Sequence, residues 1–212
     1  MAVVFAIGMF LSAGTLIWPA GWAFLLLFVG FTVALTVWLL RSDPGLLAER
    51  LTGIGKPDQK SWDKVLLAVT AVAFFAWLSL MGVDAVRFRW SLVPLWLQGI
   101  GLLILLCSFY LFYVTFRENP YLSPAVRIQK ERAQTVISTG PYRYVRHPMY
   151  AGFAVFAVGT AMGSWYGLSG ASLLIGLVGR RAVLEDRALQ EELLGYSEYM
   201  GRTRYRLVPY VW

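Results

Sequence analysis

Cysteine and histidine are nearly missing from this chain of 212 residues, which holds one of each, Cys107 and His147. A single cysteine excludes an intramolecular disulfide and a cysteine-rich zinc site. Charge is also scarce, at 15% of residues against 58% hydrophobic ones. A soluble domain of this size could not hide so much apolar surface, and the composition reads as an integral membrane protein. No basic stretch precedes the first apolar run and no clear cleavage site follows it, so the N-terminus is expected to be a retained span rather than a signal peptide. No internal repeat or low-complexity segment stands out. The glycines Gly99 and Gly101 lie inside an apolar run and lack the strand and remaining glycines of a dinucleotide fingerprint, which leaves packing as their role.

What is present is a series of long apolar runs separated by basic blocks. Residues 2–40 carry no charge and are broken once, at Trp18-Pro19-Ala20-Gly21-Trp22, where turn residues sit between interfacial aromatics. Further runs extend over Val65–Val83 and Leu92–Phe116, each long enough to cross roughly 30 Å of hydrocarbon as a helix. The net charge of +7 would point to nucleic acid in a soluble protein. Here five Lys/Arg fall in 41–64, two in 84–91, six in 117–147 and six from Arg180 onward, a distribution that expresses membrane orientation rather than a nucleic-acid surface. The positive-inside rule puts the first, third and last of these blocks in the cytoplasm.

The stretch from Pro148 to Gly179 must then begin and end on one side. A break near Gly163-Ser164-Trp165-Tyr166-Gly167 leaves two helices of about 15 residues each, short for full spans. A helical hairpin, tilted or incompletely crossing, is expected, with Gly159, Gly163 and Gly167 at four-residue intervals allowing close helix approach. The fold class is therefore all-α: a polytopic membrane bundle of five to six helices ending in a short hairpin, with a cytoplasmic site. The chain divides into four N-terminal spans over 1–116 and a C-terminal module over 117–212.

Three polar segments converge on the cytoplasmic face. Gly140 to Gly152 packs three Tyr, two Arg, the lone His, two Pro and two Gly into one run. Ser138-Thr139-Gly140-Pro141 is a turn signal, and Pro148 biases His147 to extended backbone and starts a helix. An imidazole just ahead of a helix N-terminus suits contact with a carboxylate or ribose. The same residue types also fit an aromatic belt of Tyr142, Tyr144 and Tyr150 with Arg143 and Arg146 snorkelling to lipid phosphates. In the tail, Arg181 and Glu185 share a helix face; an exposed pair of this kind contributes only about 0.3–0.5 kcal/mol. That favours a use in which Arg181 grips an anion and Glu185 faces a cation, with a solvated helix end as the plainer account. Arg202, Arg204 and Arg206 could hold the tail on anionic lipid.

Gly140-Pro141-Tyr142, Arg146-His147-Pro148-x-Tyr150-x-Gly152, Arg181-x-x-x-Glu185-Asp186-x-x-Leu189, Gly195-Tyr196-x-x-Tyr199 and Arg206-Leu207-x-Pro209 follow one another in order. This succession resembles the isoprenylcysteine carboxyl methyltransferase family, and in part the phospholipid N-methyltransferases. The likeness runs over about 117–212, and more loosely over Arg41-x-x-Pro44 to Arg50 and Lys60-x-Trp62-Asp63-Lys64. It implies a membrane enzyme using S-adenosylmethionine without a Rossmann domain and without a metal. The implied cofactor contacts are Gln129, Gln134, Thr135, Val136, Ile137, Tyr142, His147, Pro148, Met149, Tyr150 and Glu185. Arg181 takes the substrate-carboxylate role, so that Arg181 and Glu185 form the catalytic pair. Asp186 stands where the family has a second glutamate. The implied partners are membrane lipid and a lipophilic carboxylate acceptor of the isoprenylcysteine kind, attacking the sulfonium methyl in line; an amine headgroup or a small thiol are the other acceptors such a scaffold serves. A lipid-binding or transport protein is the non-enzymatic reading, which does not require Glu185 beside Arg181. Compactness and absence of tails suggest a bacterial inner membrane.

Overall fold

A computed structural model describes residues 2–52 and 54–212. It contains, among the described residues, eight α-helices and no strand: α1 Ala2–Ala13, α2 Pro19–Ser42, α3 Pro44–Thr52, α4 Ser61–Gly82, α5 Leu95–Glu118, α6 Pro148–Ala161, α7 Trp165–Glu192 and α8 Tyr196–Arg202. The protein is a polytopic helical membrane protein, as its composition requires. Four helical stretches are long and apolar enough to cross a bilayer: Pro19–Ser42, Ser61–Arg87, Leu95–Glu118 and Trp165–Glu192. The helices α1 and α6, at 12 and 14 residues, rise only about 18 and 21 Å. Large apolar side chains such as Leu11, Leu26, Val65, Val72 and Leu103 point outward. In water such a surface would be an aggregation hazard; in lipid it is solvated.

Local chemistry sets the helix boundaries. Proline occupies the first position of α2, α3 and α6, where its missing N–H costs nothing. Asp43 caps α3 by accepting the Leu46 N–H at 2.8 Å, and Ser164 caps α7 by accepting that of Gly167 at 2.8 Å. One boundary differs from expectation. The second arm of the hairpin does not stop near Gly179 but continues unbroken to Glu192. Charge ends the apolar run at Gly179 but not the helix, because Arg, Glu, Leu and Ala are all good helix formers and nothing in 180–192 breaks it.

The described chain resolves into two compact units. The first is Met1–Leu35, Val69–Phe109 and Phe153–Gly176. Its interior is aromatic: Phe5 stacks on Phe28 with centroids 4.8 Å apart, and Phe74, Phe153 and Phe156 meet at 6.1–6.3 Å. The Trp77 indole donates to the Gly167 carbonyl at 2.7 Å. Buried Asp84 accepts from the hydroxyls of Ser91, at 2.5 Å, and Ser164, clasping three segments. Not every small residue has the packing role expected of it. A Cβ on Gly159 would lie 2.6 Å from the Leu105 nitrogen, and one on Gly101 would lie 2.8 Å from the Gly159 carbonyl, whereas Gly99 and Gly163 have nothing within 4 Å. Gly159→Ala is therefore expected to lower stability in detergent by about 1–3 kcal/mol through overpacking against backbone. Gly163→Ala should leave the thermal midpoint unmoved; equal midpoints for both variants would contradict this assignment.

The second unit is Thr36–Ala68, Tyr110–Gly152 and Leu177–Trp212. It holds all the motif residues singled out above, and its organisation is that of a site.

Candidate functional site

The site is built around the start of α6. Its preceding residue, His147, accepts through its carbonyl the N–H groups of Tyr150 and Ala151, both at 3.0 Å, so the helix begins where Pro148 predicted. The chain of 205–206 lies against this start as a short extended strap: Arg146 donates its N–H to Tyr205 at 2.9 Å and His147 to Arg206 at 3.0 Å. The Arg146 side chain reinforces the strap by donating to the carbonyls of Thr203, at 2.9 Å, and Arg204, at 2.8 Å.

Asp186 of α7 collects the charges at this junction. It pairs with Arg146 at 2.8 Å and with Arg206 at 2.8 Å, accepts the Tyr196 hydroxyl at 2.7 Å, and meets His147 Nε2 at 2.8 Å. Asp186 and Arg146 are buried, so each depends on the other for its charge. An ionised carboxylate only accepts, which assigns the imidazole proton to Nε2 and turns Nδ1 toward Glu185, 3.9 Å away. Glu185 accepts the Tyr150 hydroxyl, and the Tyr150 and His147 rings stack at 5.4 Å. Arg206 is thus an internal ion-pair residue, not the lipid contact that its alternation with Arg202 and Arg204 suggested.

Arg181, one turn before Glu185 on α7, has its guanidinium 5.5 Å from the centre of the Tyr150 ring. It does not pair with Glu185 as the four-residue spacing suggested. Instead its Nε donates to Asp63 at 2.8 Å and its Nη2 to the Pro124 carbonyl at 2.7 Å. Asp63 is fully buried and also accepts from Gln59 at 2.9 Å and from the Val126 N–H at 2.8 Å. The fork is held rigid on one side, and its Nη1 is left for another partner.

These groups line one cavity of about 290 Å³. Around it stand Gln134, Thr135, Val136, Ile137, Tyr142, His147, Met149, Tyr150, Arg181 and Glu185, together with Tyr196 and Tyr199. Two residues expected as contacts, Gln129 and Pro148, are elsewhere. Gln129 is buried as a loop brace, donating its amide to Tyr121 at 2.7 Å and accepting from Arg132 at 3.0 Å. Its backbone N–H donates to Gln134 at 2.8 Å, so it shapes the 134–137 segment from behind. Pro148 is fully buried in the first turn of α6. The aromatic wall is a packed cluster of Tyr142, Leu193, Tyr196 and Tyr199. Tyr142 accepts from Asn119 at 2.7 Å, and Tyr199 donates to the Tyr142 carbonyl at 2.8 Å. Burial pushes all three phenols above their ordinary range, for Tyr196 with help from the Asp186 charge, so these hydroxyls stay protonated donors. Gly195, with φ of 84°, makes the left-handed turn between α7 and α8 that folds Tyr196 and Tyr199 back onto this wall.

A second charged group supports the loop on the far side of the cavity. Buried Arg127 pairs with Glu49 at 3.0 Å, with Asp58 at 2.5 Å and with Glu131. Burial alone would raise the Glu49 carboxyl, but hydrogen bonds from Arg127, Lys56 and Ser123 outweigh it and hold its pKa at about 2.

Residues 99–192 match the model of the Isoprenylcysteine carboxyl methyltransferase (ICMT) family. That match spans less than half of the chain, and over those residues it supports a likeness to the ICMT family. A search of curated proteins returns no match. ICMT-family proteins are membrane methyltransferases, and members use S-adenosylmethionine as methyl donor. The matched segment contains His147, Arg181, Glu185 and Asp186; Arg50, Asp63, Tyr196 and Arg206 lie outside it. Two of the side chains that shape the site were missed as site residues in the sequence. Asp63 stood in the loosely similar Lys60-x-Trp62-Asp63-Lys64, and an acidic residue in the first turn of an apolar helix was the available signal. Glu49 carried no signal, because its partner Arg127 lies 78 positions away.

Proposed function

We propose that this chain is an S-adenosylmethionine-dependent methyltransferase that esterifies the carboxylate of a lipophilic, isoprenylcysteine-like acceptor. The observation that carries the reading is the charge pattern of this cavity: the Glu185 carboxylate with His147 and Tyr150 on one side, and the Arg181 guanidinium with an unused Nη1 on the other. Such a cavity suits one cationic and one anionic ligand held together.

The donor set fits the methyl donor. The backbone of 134–137 and the tyrosine wall offer the contacts an adenosine needs, and Glu185 offers a carboxylate to its positive charges. When bound, S-adenosylmethionine supplies an electrophilic methyl group on a sulfonium. The protein's own work is positioning and dehydration. A carboxylate is already ionised at neutral pH, so no residue has to act as base. Arg181 orients it through the open arm of its fork, Glu185 binds the donor, and His147 is a binding residue whose ring is fixed by Asp186. Amine acceptors would meet repulsion from Arg181. In this reading residues 117–212 are the methyltransferase module, and the basic blocks set that module in the cytoplasm at a bacterial inner membrane.

Calorimetry on the detergent-solubilised protein tests the assignment. The wild type should bind S-adenosylmethionine, and His147→Ala and Glu185→Ala should each weaken that binding by about tenfold or more. Unaltered affinity in both variants would defeat the site. Membranes incubated with methyl-labelled S-adenosylmethionine should place label in a base-labile ester, not in a lipid headgroup or a volatile thioether.

A further inference from the structure

A second guanidinium lines the same cavity and has been given no task. Arg50, on α3, lines the cavity together with Leu122, Ser123 and Arg181. Its Nη1 donates to the Leu122 carbonyl at 3.0 Å, and its guanidinium carbon sits 4.6 Å from the centre of the Phe116 ring. Among the described residues it has no carboxylate partner. The other buried or half-buried arginines of the unit do have one: Arg127 has Glu49, Arg146 and Arg206 have Asp186, and Arg181 has Asp63. Desolvating a cation without an anion is costly, and placing it near a second cation adds repulsion. Both effects are felt at Arg50, whose pKa is brought down to about 10 by burial and then by the Arg181 charge.

Stability gives no reason to keep such a residue, since a leucine would pack against Phe116 without the penalty. A ligand does. We infer that Arg50 is a second anion-binding residue of the acceptor site, which with the open Nη1 of Arg181 closes a two-guanidinium clamp on the acceptor's carboxylate. This rests on the methyltransferase reading above and adds to it a residue that selects the acceptor by charge. Arg50, Arg181 and Asp63 together carry one net positive charge, because Asp63 is already committed to Arg181. A single carboxylate neutralises that charge. A phosphate dianion overshoots it, a neutral thiol leaves it buried, and an amine headgroup doubles it.

The test compares two ligands that differ only in charge, N-acetyl-S-farnesylcysteine and its carboxamide, titrated calorimetrically into the full-length protein in detergent, alongside S-adenosylmethionine. The wild type should prefer the acid by at least about tenfold. Arg50→Gln should lose about tenfold to a hundredfold in affinity for the acid, keep its affinity for the amide, and leave the S-adenosylmethionine affinity unchanged. An acid affinity equal to wild type in Arg50→Gln overturns the inference. So does a parallel fall for acid and amide, which would mean lost packing on Phe116, and so does a wild type with no preference for the acid. Should Arg50→Gln fail to fold, Arg50→Lys keeps the charge without the fork, and a selective loss of acid affinity is again required. If the acid preference holds while S-adenosylmethionine is not bound, the anion clamp stands and the methyltransferase reading falls.

Discussion

Arg181→Ala is expected to bind S-adenosylmethionine normally and to transfer no detectable methyl group. The proposed donor contacts, Glu185, His147 and Tyr150, are held by Asp186 and by one another, and none of them uses Arg181 as a hydrogen-bond partner. The acceptor loses its orienting fork, and truncating one member of a close charge pair costs about 2–5 kcal/mol, a rate loss of about thirtyfold to several thousandfold when it is felt in the transition state. The same variant also strands Asp63, which is fully buried, so the protein should be destabilised by about 3–5 kcal/mol as well. Pairing Arg181→Ala with Asp63→Asn separates the two effects. The double variant should recover thermal stability without recovering transfer. Recovery of activity together with stability would reduce Arg181 to a structural residue, and loss of donor binding in the single variant would show that the division between donor and acceptor sides is wrong.

The second large effect is expected at Asp186. Removing its carboxylate in Asp186→Ala leaves buried Arg146 without a counter-charge and releases Arg206, Tyr196 and the His147 ring in one step. Breaking a buried pair from one side costs about 3–5 kcal/mol, which for a chain of this length lowers the thermal midpoint by about 10 °C. Donor binding should fall with it, because nothing then fixes the imidazole. Glu185→Ala offers the contrast: loss of donor affinity at nearly unchanged midpoint, since Glu185 is more exposed and holds one hydroxyl. Differential scanning fluorimetry in detergent, followed by calorimetry, reads both quantities. A wild-type midpoint in Asp186→Ala would remove the hub role assigned to this residue.

Why Asp186 and not Glu185 is the hub could not be read from the chain. Both are acidic neighbours on one helix, and the sequence pattern points to Glu185 as the partner of Arg181 by its four-residue spacing. The helix places them on different faces: Glu185 looks into the cavity beside Tyr150, while Asp186 meets Arg146, which is 40 residues earlier. Spacing rules describe neighbours on one helix and are blind to such partners. Arg206 illustrates the same limit, since its alternation with Arg202 and Arg204 suggests a lipid contact until the strap brings it to Asp186. What was legible rested on local physics. Pro148 located the start of α6 and with it His147, the apolar runs located the spans, and nine of the eleven residues implied as donor contacts line one cavity, with Gln129 and Pro148 outside it. The extent of α7 is hidden in the sequence because the onset of charge at Arg180 ends the apolar run without ending the helix, and that continuous helix carries Arg181, Glu185 and Asp186 on one rod.

The strap has a consequence in time rather than in space. His147 is oriented by Asp186, and the start of its helix is closed by the carbonyls of Tyr205 and Arg206, while Arg146 reaches the carbonyl of Thr203, 57 positions further along. During synthesis the imidazole motif leaves the ribosome well before any of these partners exist. The buried Arg146 then has neither its carboxylate nor its carbonyls, and the donor pocket has no fourth wall. On the proposed function, competence to bind a methyl donor is therefore acquired late, and a chain stalled or cut before residue 203 is expected to have its spans but no donor binding.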